Sequence, residues 1–209
     1  MAIHEPRRVA LGLLYEIFGE SITEGANGQG KRELDLPPLN AFSPSELKIL
    51  SRMLEKGVNS PWTSSAGRLF DAVSSLLGLF QQVTFEAQSA MAVEFEAEKH
   101  SSAHPAPFAF DIKEGVPLIL DWEPAIREML MLYQSGEKPA MLCARFHHTL
   151  VEMMVQVAQR AGKKKVLLSG GCFQNALLTN LAFQRLSDEG FLVYTHQRVP
   201  PNDGGISLG

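Results

Sequence analysis

Lys165-Val166-Leu167-Leu168-Ser169-Gly170-Gly171-Cys172-Phe173-Gln174-Asn175-Ala176-Leu177-Leu178 is the stretch on which the fold turns. An apolar run ends in two glycines, and a helical pattern begins just beyond them, from about Asn175 to Glu189. Gly190 stops that helix, and residues 191–195 read as another strand. Strand, turn, helix and strand in that order predict α/β architecture with parallel pairing of the two strands. Ligands in open α/β sheets gather at the carboxyl ends of the strands. A helix start offers N–H groups and a favourable dipole to an anion. Glycine lets backbone approach a ligand, because no Cβ stands between them. The plainer alternative is a tight turn that needs glycine for its own geometry. Neither a Gly-x-x-x-x-Gly-Lys-Ser/Thr loop nor a Gly-x-Gly-x-x-Gly turn after a strand occurs.

Directly after the second strand comes Pro200-Pro201-Asn202-Asp203-Gly204-Gly205. With parallel strands this loop lies at the same end of the sheet as Ser169-Gly170-Gly171. Asp203, a carboxylate flanked by glycine, suits a metal or a phosphate-bound cation there. Taken alone, Asn-Asp-Gly-Gly is an ordinary turn; taken together, the two loops describe one pocket.

Upstream, the chain is nearly all helical to about residue 100. Residues 5–18 carry Val9, Leu11, Leu13, Leu14, Ile17 and Phe18 at mostly helical spacing, with Pro6 suited to the first turn. A Gly-, Asn- and Pro-rich connector covers 20–40. Ser43-Pro44-Ser45-Glu46 has capping-box spacing and predicts a helix to about Lys56. Trp62-Thr63-Ser64-Ser65 is a polar entry to a helix over 66–77 that Gly78 stops, and another helix is expected over 85–99. His104-Pro105-Ala106-Pro107 then breaks the pattern. Two short strands are expected at 108–112 and 116–120 around Lys113-Glu114-Gly115, and helices at 124–133 and 139–161. The chain thus divides into a mainly helical subdomain, 1–100, and an α/β lobe, 101–209. The N-terminus enters a helical pattern at once and the C-terminus stops where a helix is starting; both ends read as cuts in a longer protein.

Apolar residues are 45% and charged residues 20% of the 209, an ordinary globular composition that excludes disorder. The formal charge of −4 gives no electrostatic reason to expect nucleic acid. Lys163-Lys164-Lys165 reads as a solvated turn. Two distant cysteines, Cys143 and Cys172, define no disulfide framework. No apolar stretch reaches the roughly 18 residues of a membrane span, and no signal peptide precedes the first helix. The expectation is a soluble cytoplasmic protein without membrane or nucleic-acid partners.

Three segments in order carry a family resemblance: Ser64-Ser65-Ala66-Gly67-Arg68-Leu69-Phe70-Asp71-Ala72-Val73, Leu168-Ser169-Gly170-Gly171-Cys172-Phe173-Gln174-Asn175, and Pro201-Asn202-Asp203-Gly204-Gly205-Ile206. Thr84-Phe85-Glu86-Ala87-Gln88 and Ala144-Arg145-Phe146-His147 accompany them. The set resembles the C-terminal part of HypF, the carbamoyltransferase family of nickel–iron hydrogenase maturation, a region similar to the tRNA threonylcarbamoyl transferases. The resemblance implies a partial actin-like ATPase fold (RNase H-like), with a large helical portion and a small mixed sheet. It implies an ATP-dependent chemistry in which a YrdC-like domain of the longer chain makes carbamoyl adenylate from carbamoyl phosphate. The carbamoyl group then passes to the C-terminal cysteine thiol of a HypE-like acceptor protein.

Residue by residue, the resemblance matches Ser169, Gly170, Gly171 and Asn175 to the loop and helix start that hold the nucleotide. Gly67 and Asp71 match a glycine and a carboxylate near its sugar, and Asp203 matches a ligand of a divalent metal, iron or zinc. A carboxylate accepts hydrogen bonds from ribose hydroxyls, and a metal can polarise a carbonyl. The family's metal site also needs two histidines from a motif upstream of this chain, so the isolated fragment is expected to be inactive and metal to be absent from it. His100 and His104 have helical ligand spacing but follow Gly67 and Asp71, whereas the family's pair precedes them; Pro105 also disfavours a helix there. No catalytic side chain is assigned. A small-molecule O-carbamoyltransferase, or a catalytically incomplete nucleotide-binding module, are the competing readings.

Other polar residues have plainer roles. Cys172 reads as a small packing residue whose thiol a helix start would acidify. Of His147 and His148, one packs or hydrogen-bonds and the other is exposed. Glu94, Glu96 and Glu98 read as a solvated acidic segment, and Asp121-Trp122 as a helix cap followed by a core or subdomain contact.

Overall fold

The structure, a computed structural model, describes residues 4–23, 34–100 and 105–208. Residues 24–33 of the expected connector and His104 of the His100/His104 pair lie outside the described residues. The chain forms two compact units, Met1–Val93 and Glu94–Gly209.

In the first unit, helix α1 spans Pro6–Phe18, α2 Pro37–Asn40, α3 Pro44–Glu55 and α4 Ala66–Leu76; α5, Gln88–Glu98, begins in it and ends in the second. Proline occupies the first turn of α1, α2 and α3, where its missing N–H costs nothing. The expected capping box closes α3: the Glu46 N–H donates to Ser43 Oγ at 3.3 Å, and the Ser43 N–H to Glu46 Oε2 at 2.9 Å. Buried Ala10, Leu11, Leu14 and Ile17 line α1, which packs chiefly on α4, where Phe70, Val73 and Leu76 are buried. Two boundaries differ from the sequence reading. The short α2 falls inside the expected connector. α5 starts at Gln88 rather than 85, because the Gln88 side chain takes the Thr84 N–H at 2.8 Å and holds the intervening residues in a turn.

In the second unit, β1 (Asp111–Lys113) and β2 (Ile119–Asp121) pair antiparallel, with Ile112 opposite Leu120. The hairpin lies a few residues later than expected. Side chains of the long helix that follows claim the preceding segment instead: the Phe108 N–H donates to Thr149 Oγ1 at 2.8 Å, and the Arg145 guanidinium sits 4.2 Å over the Phe108 ring. Helix α6 is Glu123–Gln134 and α7 is Pro139–Ala161. Asp121 Oδ1 accepts the Glu123 N–H at 3.1 Å, one residue before the helix cap position at Trp122. α7 matches its expected bounds, with Pro139 opening it and Gly162, φ +64°, closing it in the left-handed region. Then follow β3 (Lys165–Leu168), α8 (Ala176–Asp188) and β4 (Leu192–Thr195).

β3 and β4 pair in parallel, as the turn at Ser169 predicts, with Lys165 opposite Leu192 and Leu168 opposite Thr195. α8, with Leu178, Ala182 and Leu186 buried, packs on α7, and α6 also packs on α7. The architecture is α/β with a large helical portion and, among the described residues, two separate two-stranded sheets, one antiparallel and one parallel. No helix among the described residues is long and apolar enough to cross a membrane.

Candidate functional site

Parallel pairing puts the carboxyl ends of β3 and β4 at one edge, and the two loops that leave them are hydrogen-bonded to each other. The Gly170 N–H donates to the Pro201 carbonyl at 2.7 Å. His196 Nε2 lies 2.9 Å from Ser169 Oγ. Sequence reading missed His196; its place at the residue after β4 is the signal that could have found it. Ser169, Gly170 and Gly171 are exposed, and Asp203 is exposed on the neighbouring loop.

The glycines separate into two kinds. Gly170 has φ +114°, a conformation that side-chain-bearing residues resist. Gly205 has no room, since a Cβ would lie 3.0 Å from the Pro200 carbonyl oxygen; at Gly204 one would lie 3.0 Å from Asn202 Oδ1. These three are explained by the turns themselves. A Cβ at Gly171 would meet nothing within 4 Å, and one at Gly67 only Ser65 Oγ at an ordinary 3.5 Å. Neither has a positive φ. Among the described residues nothing demands glycine at these two positions.

A 3-10 turn, Gly171–Gln174, separates the glycines from α8. Asn175 then caps the helix: its Oδ1 accepts the Leu178 N–H at 2.7 Å, and its Nδ2 donates to His147 Nε2 at 3.1 Å. Glu94 Oε1 accepts from the Ala176 N–H at 2.7 Å and the Leu177 N–H at 3.1 Å. The α8 start is therefore already occupied by a carboxylate and a carboxamide of this chain, and the anion-attracting amides expected there are in use. Glu94 is buried, a correction to its reading as part of a solvated segment. Cys172 also differs from expectation: burial pushes its thiol up, and it lies ahead of the capped helix rather than in its first turn.

His147 is fully buried on α7, with Nδ1 2.8 Å from the Cys143 carbonyl, and burial lowers its pKa to about 4. His148 is half-buried, not exposed, and lines a cavity of about 270 Å³ with His100 and Leu177.

Gly67 and Asp71 belong to the other unit, on the first two turns of α4. Asp71 is 4% exposed, and Arg68 Nη1 approaches its Oδ2 to 2.9 Å without the alignment of a hydrogen bond. Burial raises the Asp71 pKa, outweighing the Arg68 charge and the Ser89 hydroxyl, which lower it. The carboxylate thus keeps an oxygen without a hydrogen-bond donor in a dehydrated setting.

The donor set for a metal is thin. Asp203 offers one exposed carboxylate, and among the described residues no three His, Cys, Asp or Glu side chains cluster closely enough to hold an ion. The described residues do not by themselves fit a metal centre.

A family profile described as the carbamoyltransferase, Kae1-like domain, second subdomain, matches residues 1–209. The chain is 34% identical over 212 residues to the carbamoyltransferase HypF of a Synechocystis species, covering 100% of this chain and 27% of that one. It therefore spans about a quarter of that relative's length. It is similar to a crystal structure of full-length HypF in the phosphate- and nucleotide-bound form, with a TM-score of 0.82 and 32% identity over 99% of this chain and 26% of the other. The HypF structure from T. kodakarensis shares the fold at a TM-score of 0.77 and 23% identity, over 99% of this chain and 27% of that one.

Proposed function

The chain belongs to the HypF carbamoyltransferase family, as the second subdomain of its Kae1-like domain, and from that premise we propose that it carries part of a site that moves a carbamoyl group from carbamoyl adenylate to a cysteine thiol. Ser169, Gly170, Gly171 and Asn175 form the wall that holds the nucleotide, and Gly67 and Asp71 serve its sugar. Asn175 acts by fixing the helix start behind the glycines, since both ends of its amide are engaged within the chain. Asp71, whose Oδ2 has Arg68 2.9 Å away, would serve as the carboxylate acceptor for ribose hydroxyls.

The acceptor in this reading is the C-terminal cysteine of a HypE-like protein. Its thiolate attacks the carbamoyl carbon, a C–S bond forms, the bond from that carbon to the adenylate oxygen breaks, and AMP leaves with the electron pair. ATP and carbamoyl phosphate enter at a YrdC-like domain of the longer protein, which makes the adenylate. Asp203 would be this chain's one carboxylate donor to a divalent iron or zinc ion, which would need further donors from outside the described residues. The step above does not pass through that ion. A cytoplasmic setting suits this ATP-dependent chemistry.

The observation that carries this reading is the Gly170 to Pro201 bond, which ties the nucleotide turn to the loop bearing Asp203. The test is mass spectrometry of a HypE-like acceptor incubated with the native-length protein, ATP and carbamoyl phosphate. The expected result is a carbamoyl group on the C-terminal cysteine. An unmodified acceptor beside a carbamoylated small-molecule hydroxyl compound would transfer the assignment to O-carbamoylation.

A further inference from the structure

The α8 start is closed by a chain of buried groups whose proton positions follow from their end members. The Cys143 carbonyl can only accept, so His147 Nδ1 carries the proton in the 2.8 Å contact between them. The Leu178 N–H can only donate, so the oxygen of the Asn175 amide faces it and the amide nitrogen faces His147 Nε2 at 3.1 Å. With Nδ1 protonated and the ring neutral, Nε2 has the lone pair that this nitrogen needs. A protonated or Nε2–H ring would put two donors face to face.

Asn175 is 7% exposed and His147 is wholly buried, so neither can turn to water for another partner. Through the Asn175 N–H, which reaches the Cys172 carbonyl at 3.2 Å, the chain continues into the 3-10 turn. The Phe173 N–H closes that turn on the Gly170 carbonyl at 3.0 Å. Thr179 Oγ1 adds a bond to the Phe173 carbonyl at 2.9 Å.

We propose that His147, as a neutral Nδ1–H imidazole, is a positioning residue for nucleotide binding: it orients the Asn175 amide and thereby sets the Gly170-Gly171 turn. The inference rests on the nucleotide reading of that turn. His147 touches no reacting atom in it; its contribution is that the turn is set before the ligand arrives.

Two measurements on the native-length protein test it. The imidazole 15N shifts of His147 should report the Nδ1–H form, with Nε2 unprotonated. An Nε2–H ring, or a charged one at neutral pH, would overturn the assignment whatever the variants do. AMP titration calorimetry should show His147→Leu binding about ten-fold or more weakly, the loss expected when one buried amide donor is orphaned. His147→Gln, whose side-chain oxygen can reach the place of Nε2, should recover most of that loss. Wild-type AMP binding together with an unaltered affinity in a folded His147→Leu sinks the inference alone. So does a Gln variant as impaired as the Leu variant. No AMP binding by the wild-type protein sinks the nucleotide reading and the inference with it.

Discussion

Asp71 and Glu94 are both carboxylates on helices, both buried, and they differ in what meets their oxygens. One Glu94 oxygen receives two backbone N–H groups of α8. Asp71 keeps an oxygen without a hydrogen-bond donor, and the adjacent Arg68 does not offset its burial. A buried charge with its donors supplied belongs to the scaffold. A buried charge still short of donors is held at a cost to the fold, and such costs cluster where a ligand completes the set.

The largest effect should come from removing the satisfied member. Glu94→Ala leaves two α8 amides without their acceptor, and chemical denaturation should show a loss of about 2–4 kcal/mol. A loss below about 0.5 kcal/mol would make Glu94 the surface residue its neighbours suggest. Asp71→Asn should behave in the opposite way. Calorimetry should show AMP affinity falling by about ten- to a hundred-fold, as for a lost bond to a charged acceptor, while the thermal midpoint holds or rises. A fall in both would place Asp71 with Glu94.

The pH dependence separates them further. The folded-state pKa of Asp71 is raised above its ordinary value, so the folded protein binds that proton more readily than the unfolded one. Its contribution is most favourable below the ordinary pKa and is lost as pH rises through the raised one. Stability curves across the acid range should therefore diverge between wild type and Asp71→Asn toward neutral pH, with the variant the more stable there. The smallest effect is at Gly67, one turn before Asp71. Gly67→Ala should gain about 0.5–1 kcal/mol of helix stability, since among the described residues a Cβ meets only Ser65 Oγ at an ordinary 3.5 Å, and in the proposed nucleotide site it should weaken AMP binding. Unchanged affinity would make Gly67 an ordinary helix residue.

Local chemistry explains which parts of this were legible in the sequence. α7 was readable to both ends because Pro139 and Gly162 mark its first and last turns, and α3 because Ser43 and Glu46 bond across three residues. The parallel β3–β4 pair followed from the strand–turn–helix order around Ser169. The family resemblance came from ordered motifs, and the profile match over residues 1–209 agrees with it. What escaped reading depends on distant partners. Glu94 reaches amides more than eighty residues away, and nothing in Glu94-Phe95-Glu96-Ala97-Glu98 distinguishes it from its solvated neighbours. His147 meets Asn175 only after α7 and α8 pack. The segment before β1 reads as strand because its pattern is apolar, whereas Thr149 and Arg145 hold it.

The closure of α8 also gives the molecule a clock. First-turn amides of a helix ordinarily trade their hydrogens with solvent within moments, since nothing in the helix holds them. At Ala176 and Leu177 they are held by Glu94, so their deuterium uptake should follow how often the Glu94 carboxylate leaves the α8 start. Two adjacent backbone positions thus time the opening of a contact made between helices far apart in the chain, without a probe having to be attached.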